Sequence, residues 1–206
     1  MLFRSGRVTR GTVDTLFSPL SVQGPMARSV PDVALFLDTM AGYCHLDPMT
    51  FDAPSLSFSH AVAAPRRPHR VAFAATIGGS PVDQETENIC RDSMRHFKNV
   101  GSKVEEIAID LENLEDTFLA LRSQEFVIDR ELQLQRYRDQ IKPDIIWNTE
   151  LGLEQSISTL AKAERARAAL YAQFNDLFSR YDLIVTPGAN TPAFDEIGRA
   201  SCRERV

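Results

Sequence analysis

Cysteine is scarce in this chain of 206 residues, which carries three. Cys202 falls in a terminal run set aside below, and Cys44 and Cys90 stand too far apart for a disulfide framework or a zinc site. A reducing, cytoplasmic setting is the expectation. No apolar stretch reaches the length of a membrane span and no secretory-type leader is visible, so no membrane partner is expected. Basic excess is missing too. The formal charge is −5, whereas a nucleic-acid surface calls for a basic patch, so no nucleic-acid partner is expected. His60 and His69 lie in polar loop sequence without a third ligand, which argues against a metal centre. What is present is 43% hydrophobic and 25% charged. That balance excludes a disordered chain and suits one globular domain, or part of a larger one.

Local punctuation then divides the chain. Ser29 and Asp32 form an S-x-x-D helix start, with Pro31 inside the first turn, where its missing N–H costs nothing. Val33, Phe36, Leu37 and Met40 follow at helical spacing as one apolar stripe, and Gly42 stops the helix. From Tyr43 to Arg70 the chain is rich in Pro, Ser, Ala and His without a period, which predicts an irregular surface crossing. Val71 to Ala75 reads as a buried strand, Ile77 to Pro81 as a loop, and Asp83 as the start of a helix reaching about Asn99 and ended by Gly101. Lys103 to Ile107 is the next strand. This strand-helix-strand unit predicts parallel strands with a covering helix, an α/β arrangement.

Leu114 to about Gln140 is predicted helical, with Phe118, Leu121, Phe126, Leu132 and Leu134 as buried positions and Glu131 to Asp139 as a solvated charged face. A further helix from Ser158 to Arg180 places Leu170, Phe174, Leu177 and Phe178 on one side. Leu183 to Thr186 is a short strand running into Pro187 and Gly188. Because ligands gather beyond the carboxyl ends of strands in open α/β sheets, Thr186 and Pro187 stand either in a pocket wall or in a plain turn.

Gly24, Pro25, Ala27, Arg28, Ser29, Val30 and Asp32, followed by an apolar helix ending in Ala41-Gly42, resemble the GP-x-AR-[ST]-V-x-D block of the amidase signature family. A second block, from Ala163 to Phe194, is similar to the long helix, hydrophobic strand and Thr-Pro turn of the same family. The resemblance covers roughly Gly6 to Phe194. It implies one α/β/α domain with a mixed central sheet flanked by helices, hydrolysis of carboxamide C–N bonds, and no metal or organic cofactor. It also implies a small-molecule amide substrate and allows a homodimer of the full-length protein.

In that family a Ser nucleophile, a second Ser in a cis peptide and a Lys act together. The Lys draws a proton through the bridging Ser, and an acyl-enzyme forms and is hydrolysed. A Gly-Arg-Val-x-Arg run like Gly6 to Arg10 sits just downstream of the segment that carries them. The resemblance therefore places all three upstream of Met1, makes this chain an internal fragment, and predicts that it is inactive and prone to aggregate through exposed apolar strand edges. The last eleven residues, Glu196 to Val206, read as a translated sequencing adapter. Residues 1–195 are then a partial amidase signature domain and 196–206 a non-native tail. Without that tail the chain holds 20 basic and 26 acidic residues.

Gly24, Pro25, Arg28, Thr186 and Pro187 are the candidates for lining or supporting the substrate pocket. Arg28 either holds a substrate carboxylate or tethers a structural Asp, and the tether is the simpler reading. Gly78-Gly79-Ser80 mimics the segment around a family nucleophile, yet lacks a second Ser and runs into Pro81, so a loop before a helix is expected. A Cys nucleophile is not expected: Cys90 falls mid-helix near the apolar stripe, and Cys44 has only His45 beside it, a sequence neighbour that rarely aligns as its base. Glu164 and Arg167 are expected to form a surface pair. Trp147 is left open between core and pocket. Two other functions compete with a free-standing amidase. One is the family's glutamyl-tRNA(Gln) amidotransferase component, which supplies ammonia for tRNA-dependent amidation, although Ser123 to Ser156 is more similar to free-standing amidases. The other is a degenerate interaction protein of the same fold.

Overall fold

The computed structural model describes residues 6–11, 14–18 and 20–193. The expected adapter run and Phe194 lie outside the described residues. The chain forms two compact units. One comprises residues up to Arg66 with Arg122–Ile141 and Asn148–Leu153, and the other comprises Arg67–Leu121, Lys142–Trp147 and the chain from Glu154 onward.

The second unit holds the sheet. Strands β1 (Arg70–Phe73), β2 (Lys103–Glu106) and β3 (Leu183–Val185) run parallel in the order β2-β1-β3. Arg70 stands opposite Lys103, and Val71 opposite Val104 and Leu183. The run Val71-Ala72-Phe73-Ala74 is nearly solvent-free because β1 is central and covered on both faces, the condition under which a strand loses its polar alternation. Helix α3 (Gln84–Asn99) lies over the Phe73 face, where the Arg91 guanidinium sits 5.2 Å from the ring centroid. On the other face Ala74, Ile109 and Leu111 form a core against Leu170, Phe174 and Leu177 of helix α6 (Ile157–Arg180). The strand-helix-strand unit and its parallel pairing are therefore as expected. The mixed sheet is not seen: all three described strands are parallel.

Capping explains the helix boundaries. Asp83 accepts from the amides of Glu85 and Thr86 at the start of α3, and Gly101, at φ +83°, reverses the chain after its end. Ser156 caps α6 by accepting from Thr159 N.

In the first unit α1 (Val30–Met40) and α2 (Phe58–Ala63) pack together. Helix α2 corrects the irregular crossing read between Tyr43 and Arg70. Its cause is partly tertiary: the Asp38 carboxylate of α1 accepts from Phe58 N, Ser59 N and Ser59 Oγ, placing an anion at a helix N-terminus. Asp38 thereby turns the 34, 37, 38 face of α1 toward α2. Phe36 lies about 200° around the helix from Asp38 and stays 49% exposed, against the expected stripe.

The helix predicted over 114–140 is α4 (Leu114–Tyr137) followed by a 3-10 turn, Arg138–Gln140. Leu121 and Leu134 are buried as expected, but Phe118 and Leu132 are exposed. Small and polar side chains, Thr117, Ala120 and Ser123, occupy the buried line instead. Helix α5 (Pro143–Leu153) was not read from the sequence, although Pro143 at its first position is a start signal. Gly152 of α5 lets the chain come close to α4: a Cβ there would stand 2.4 Å from the Ser123 carbonyl oxygen.

Candidate functional site

The Gly24 to Asp32 block folds as a capped loop-to-helix joint. Ser29 is extended at φ −130°, ψ 153°; its Oγ accepts from Asp32 N at 3.2 Å and donates to the Asp32 carboxylate at 2.7 Å. Two adjacent hydrogen bonds between the same residues hold the entry angle of α1. Gly24 and Pro25 are half-buried. Arg28 is exposed and makes neither ion pair nor hydrogen bond with the described residues, so the expected tether to an Asp is not formed among them.

The second block belongs to the other unit. Asp182, just before β3, accepts from His69 N and Arg70 N at 2.7 and 2.8 Å, while its own amide donates to the Arg70 carbonyl. This carboxylate is held below its ordinary pKa chiefly by those two amides, Arg70 N first. Ala74 N donates to the Val185 carbonyl, carrying the β1–β3 ladder to its carboxyl end. Thr186 and Pro187 follow there, half-buried. The loop beyond them is pinned where Asp83 N donates to the Asn190 carbonyl at 2.7 Å. Thr186 and Pro187 thus stand at the carboxyl edge of the sheet, as strand order predicts, on a loop tied to the start of α3. An open depression of about 480 Å³ at the ends of β1 and β2 is lined by residues including Thr76, Gly79, Glu106 and Asp110, without Thr186 or Pro187.

At the opposite edge Glu105 gathers Lys103 (2.9 Å), the Tyr181 hydroxyl (2.9 Å) and Arg70 (3.0 Å), with the Arg70 guanidinium 4.9 Å from the Tyr181 ring centroid. These donors, Lys103 foremost, lower the Glu105 carboxyl to a pKa of about 2. This network is a brace between β1, β2 and the start of β3.

Gly78 and Gly79 both adopt positive φ, and Gly78-Gly79-Ser80 is a loop before α3, as expected. His60 and His69 are exposed, and no described group of three His, Cys, Asp or Glu could hold a metal ion. Glu164 and Arg167 pair at 2.6 Å as expected. Trp147 is half-buried. No described helix is long and apolar enough to cross a membrane.

Asp47 was missed by the sequence reading. It is 3% exposed. One carboxylate oxygen accepts from Arg10 N at 2.9 Å and faces Thr9 Oγ1 at 3.4 Å, and the other accepts from Met49 N at 3.0 Å. The Arg10 amide is the largest influence lowering its pKa, with burial opposing it. Asp47-Pro48-Met49-Thr50 is a turn closed by Thr50 N on the Asp47 carbonyl. The Asp-Pro pair marks such a turn in sequence, although nothing local reveals what the carboxylate holds.

Known proteins are similar to this chain in sequence and in fold. Residues 4–201 match the amidase family. An amidase of Pseudomonas putida is 24% identical over 189 aligned positions, covering 91% of this chain and 41% of that protein. A glutamyl-tRNA(Gln) amidotransferase component of Pediococcus pentosaceus is 24% identical over 225 positions, covering 92% of this chain and 44% of that protein. Among solved structures, a bacterial aryl acylamidase of the amidase signature family superposes with a TM-score of 0.80 at 21% identity, covering 92% of this chain and 41% of its own. The chain therefore spans less than half the length of the relatives it matches. With a family match over almost its whole length, and on a fold shared with a solved member, this chain belongs to the amidase signature family.

Proposed function

We propose that the parent of this chain is a free-standing amidase that hydrolyses a carboxamide C–N bond to a carboxylate and ammonia or an amine. In this reading the reaction runs through a Ser–cis-Ser–Lys acyl-enzyme, and the three residues lie in the part of the parent upstream of Met1. The whole α/β/α domain would carry a mixed sheet of which β2-β1-β3 is the parallel portion. The chain by itself would then be inactive, because a Ser is a weak nucleophile until a base is held against it. Gly24, Pro25, Arg28, Thr186 and Pro187 are proposed to line or support the pocket for a small amide. The parent would work in the cytoplasm without a cofactor.

The observation that carries the reading is how the relatives align. The Pseudomonas putida amidase aligns over 189 positions for 91% of this chain, whereas the Pediococcus pentosaceus amidotransferase component takes 225 positions for 92%. The more compact alignment supports the free-standing class over the amidotransferase.

The test is recovery of the flanking gene, expression of the whole product, and assay of amine or ammonia release from simple aryl and aliphatic amides. Turnover that is lost on replacing the upstream nucleophilic Ser is expected. An upstream segment without the two Ser and the Lys would leave the degenerate, non-catalytic reading. Neighbouring genes for the other amidotransferase components, with turnover only in their presence, would favour the amidotransferase.

A further inference from the structure

We propose that Asp47 is a positioning residue, a buried clip that holds the segment Gly6 to Arg10 in the register the reaction needs. This rests on the amidase reading above, in which that segment leads directly out of the reactive one. The clip is one part of a continuous grip. The Gly6 carbonyl accepts from Phe51 N at 2.8 Å, the Arg7 carbonyl accepts from Gly42 N at 3.2 Å, and Val8 forms an antiparallel bridge with Ala41. Thr9 and Arg10 then meet Asp47. Five consecutive residues are thus each held by the chain between Ala41 and Phe51.

Two features single out Asp47 within this grip. It supplies the one carboxylate among these contacts, and burial makes its hydrogen bonds to backbone amides count for more than they would in water. Both of its oxygens are occupied, so the side chain has no freedom to follow a displaced segment. Gly6 makes the fit tight from the other side. It sits at φ +76°, and a Cβ there would lie 2.3 Å from the Met49 carbonyl oxygen, leaving no slack between the segment and the Asp47 turn. Arg10 extends the hold by donating to the Thr15 and Leu16 carbonyls at 2.5 and 3.2 Å. A segment gripped this closely transmits a shift of its holder along the chain, and a misplacement of about 1 Å in reacting groups costs about 100-fold in rate. Asp47 touches no substrate in this scheme. It acts through the backbone of Thr9 and Arg10.

The experiment uses the recovered full-length protein and compares wild type with Asp47→Ala, the near-isosteric Asp47→Asn, and Ser57→Ala as a control. Ser57 caps α2 in the same unit by accepting from His60 N, away from the gripped segment. Asp47→Ala is expected to lower kcat about 10- to 100-fold with KM within about twofold, and Asp47→Asn to lie between it and wild type. Ser57→Ala should lower Tm while leaving kcat unchanged. If Asp47→Ala proves insoluble, Asp47→Asn carries the same comparison. An Asp47 variant that loses Tm but keeps kcat, or one that changes KM alone, overturns the positioning role while the amidase reading stands. A wild-type parent that hydrolyses no amide overturns the reading itself, and this inference with it.

Discussion

Replacing Gly152 by alanine sets two opposed contributions against each other. Alanine is favoured over glycine in a helix by at most about 1 kcal/mol, and by less this close to the end of α5. Against that, the new Cβ would stand 2.4 Å from the Ser123 carbonyl oxygen, 2.5 Å from Val127 Cγ2 and 2.9 Å from the Ser123 carbonyl carbon. Two of those three atoms are backbone, so relief requires α4 and α5 to separate by about 1 Å rather than one side chain to rotate. Overpacking of this kind costs about 1–3 kcal/mol. Sterics therefore win, and Gly152→Ala is expected to destabilise by about 2 kcal/mol. With a urea slope of roughly 2 kcal/mol/M the unfolding midpoint should fall by about 1 M, read by far-UV circular dichroism, which reports the helices directly. Gly188→Ala is the control: its Cβ would meet nothing within 4 Å, and the change should stay within about 0.5 kcal/mol. A Gly152→Ala midpoint equal to or above wild type would refute the close approach of α5 to Ser123.

Three further outcomes are expected. Phe73→Ala, at the carboxyl end of the central strand β1 and 2% exposed, should cost about 3–5 kcal/mol in the same denaturation assay, and a loss under about 1 kcal/mol would contradict its burial beneath α3. Asp83→Ala removes the side chain that accepts from Glu85 N and Thr86 N, and should cost about 1 kcal/mol, seen as a lower melting temperature. Glu105 carries a folded-state pKa of about 2 against an ordinary 4.5. Its stabilising effect is therefore complete above about pH 4.5 and lost as pH falls toward about 2. Glu105→Gln should flatten the acid-unfolding curve across that window, and curves that stay parallel to wild type would remove Glu105 as the cause.

Much of this fold was legible because its signals act over a few residues. Ser29 with Asp32, Asp83, and Gly101 each do their work within one turn of backbone, so their helices begin and end close to where the sequence indicates. The run from Val71 to Ala74 announces a strand buried on both faces because no polar residue interrupts it. The family blocks around Gly24 to Asp32 and Ala163 to Phe194 were legible for the same reason: each is contiguous. Tertiary structure decided what depends on which neighbour is present. Phe36, Phe118 and Leu132 have helical spacing suited to a core and are exposed, since the partner of each helix meets a different face. Helix α2 stands where composition suggested irregular chain: Ser57 caps it locally, and Asp38, twenty residues earlier, adds the anion at its start. Asp47 and Arg10 are 37 residues apart. Sequence alone determined which residues could cap, turn or enter a strand, because those preferences are local. Only the folded chain determined that Asp47 grips Thr9 and Arg10, because a hydrogen bond between distant residues exists only after packing has brought them together.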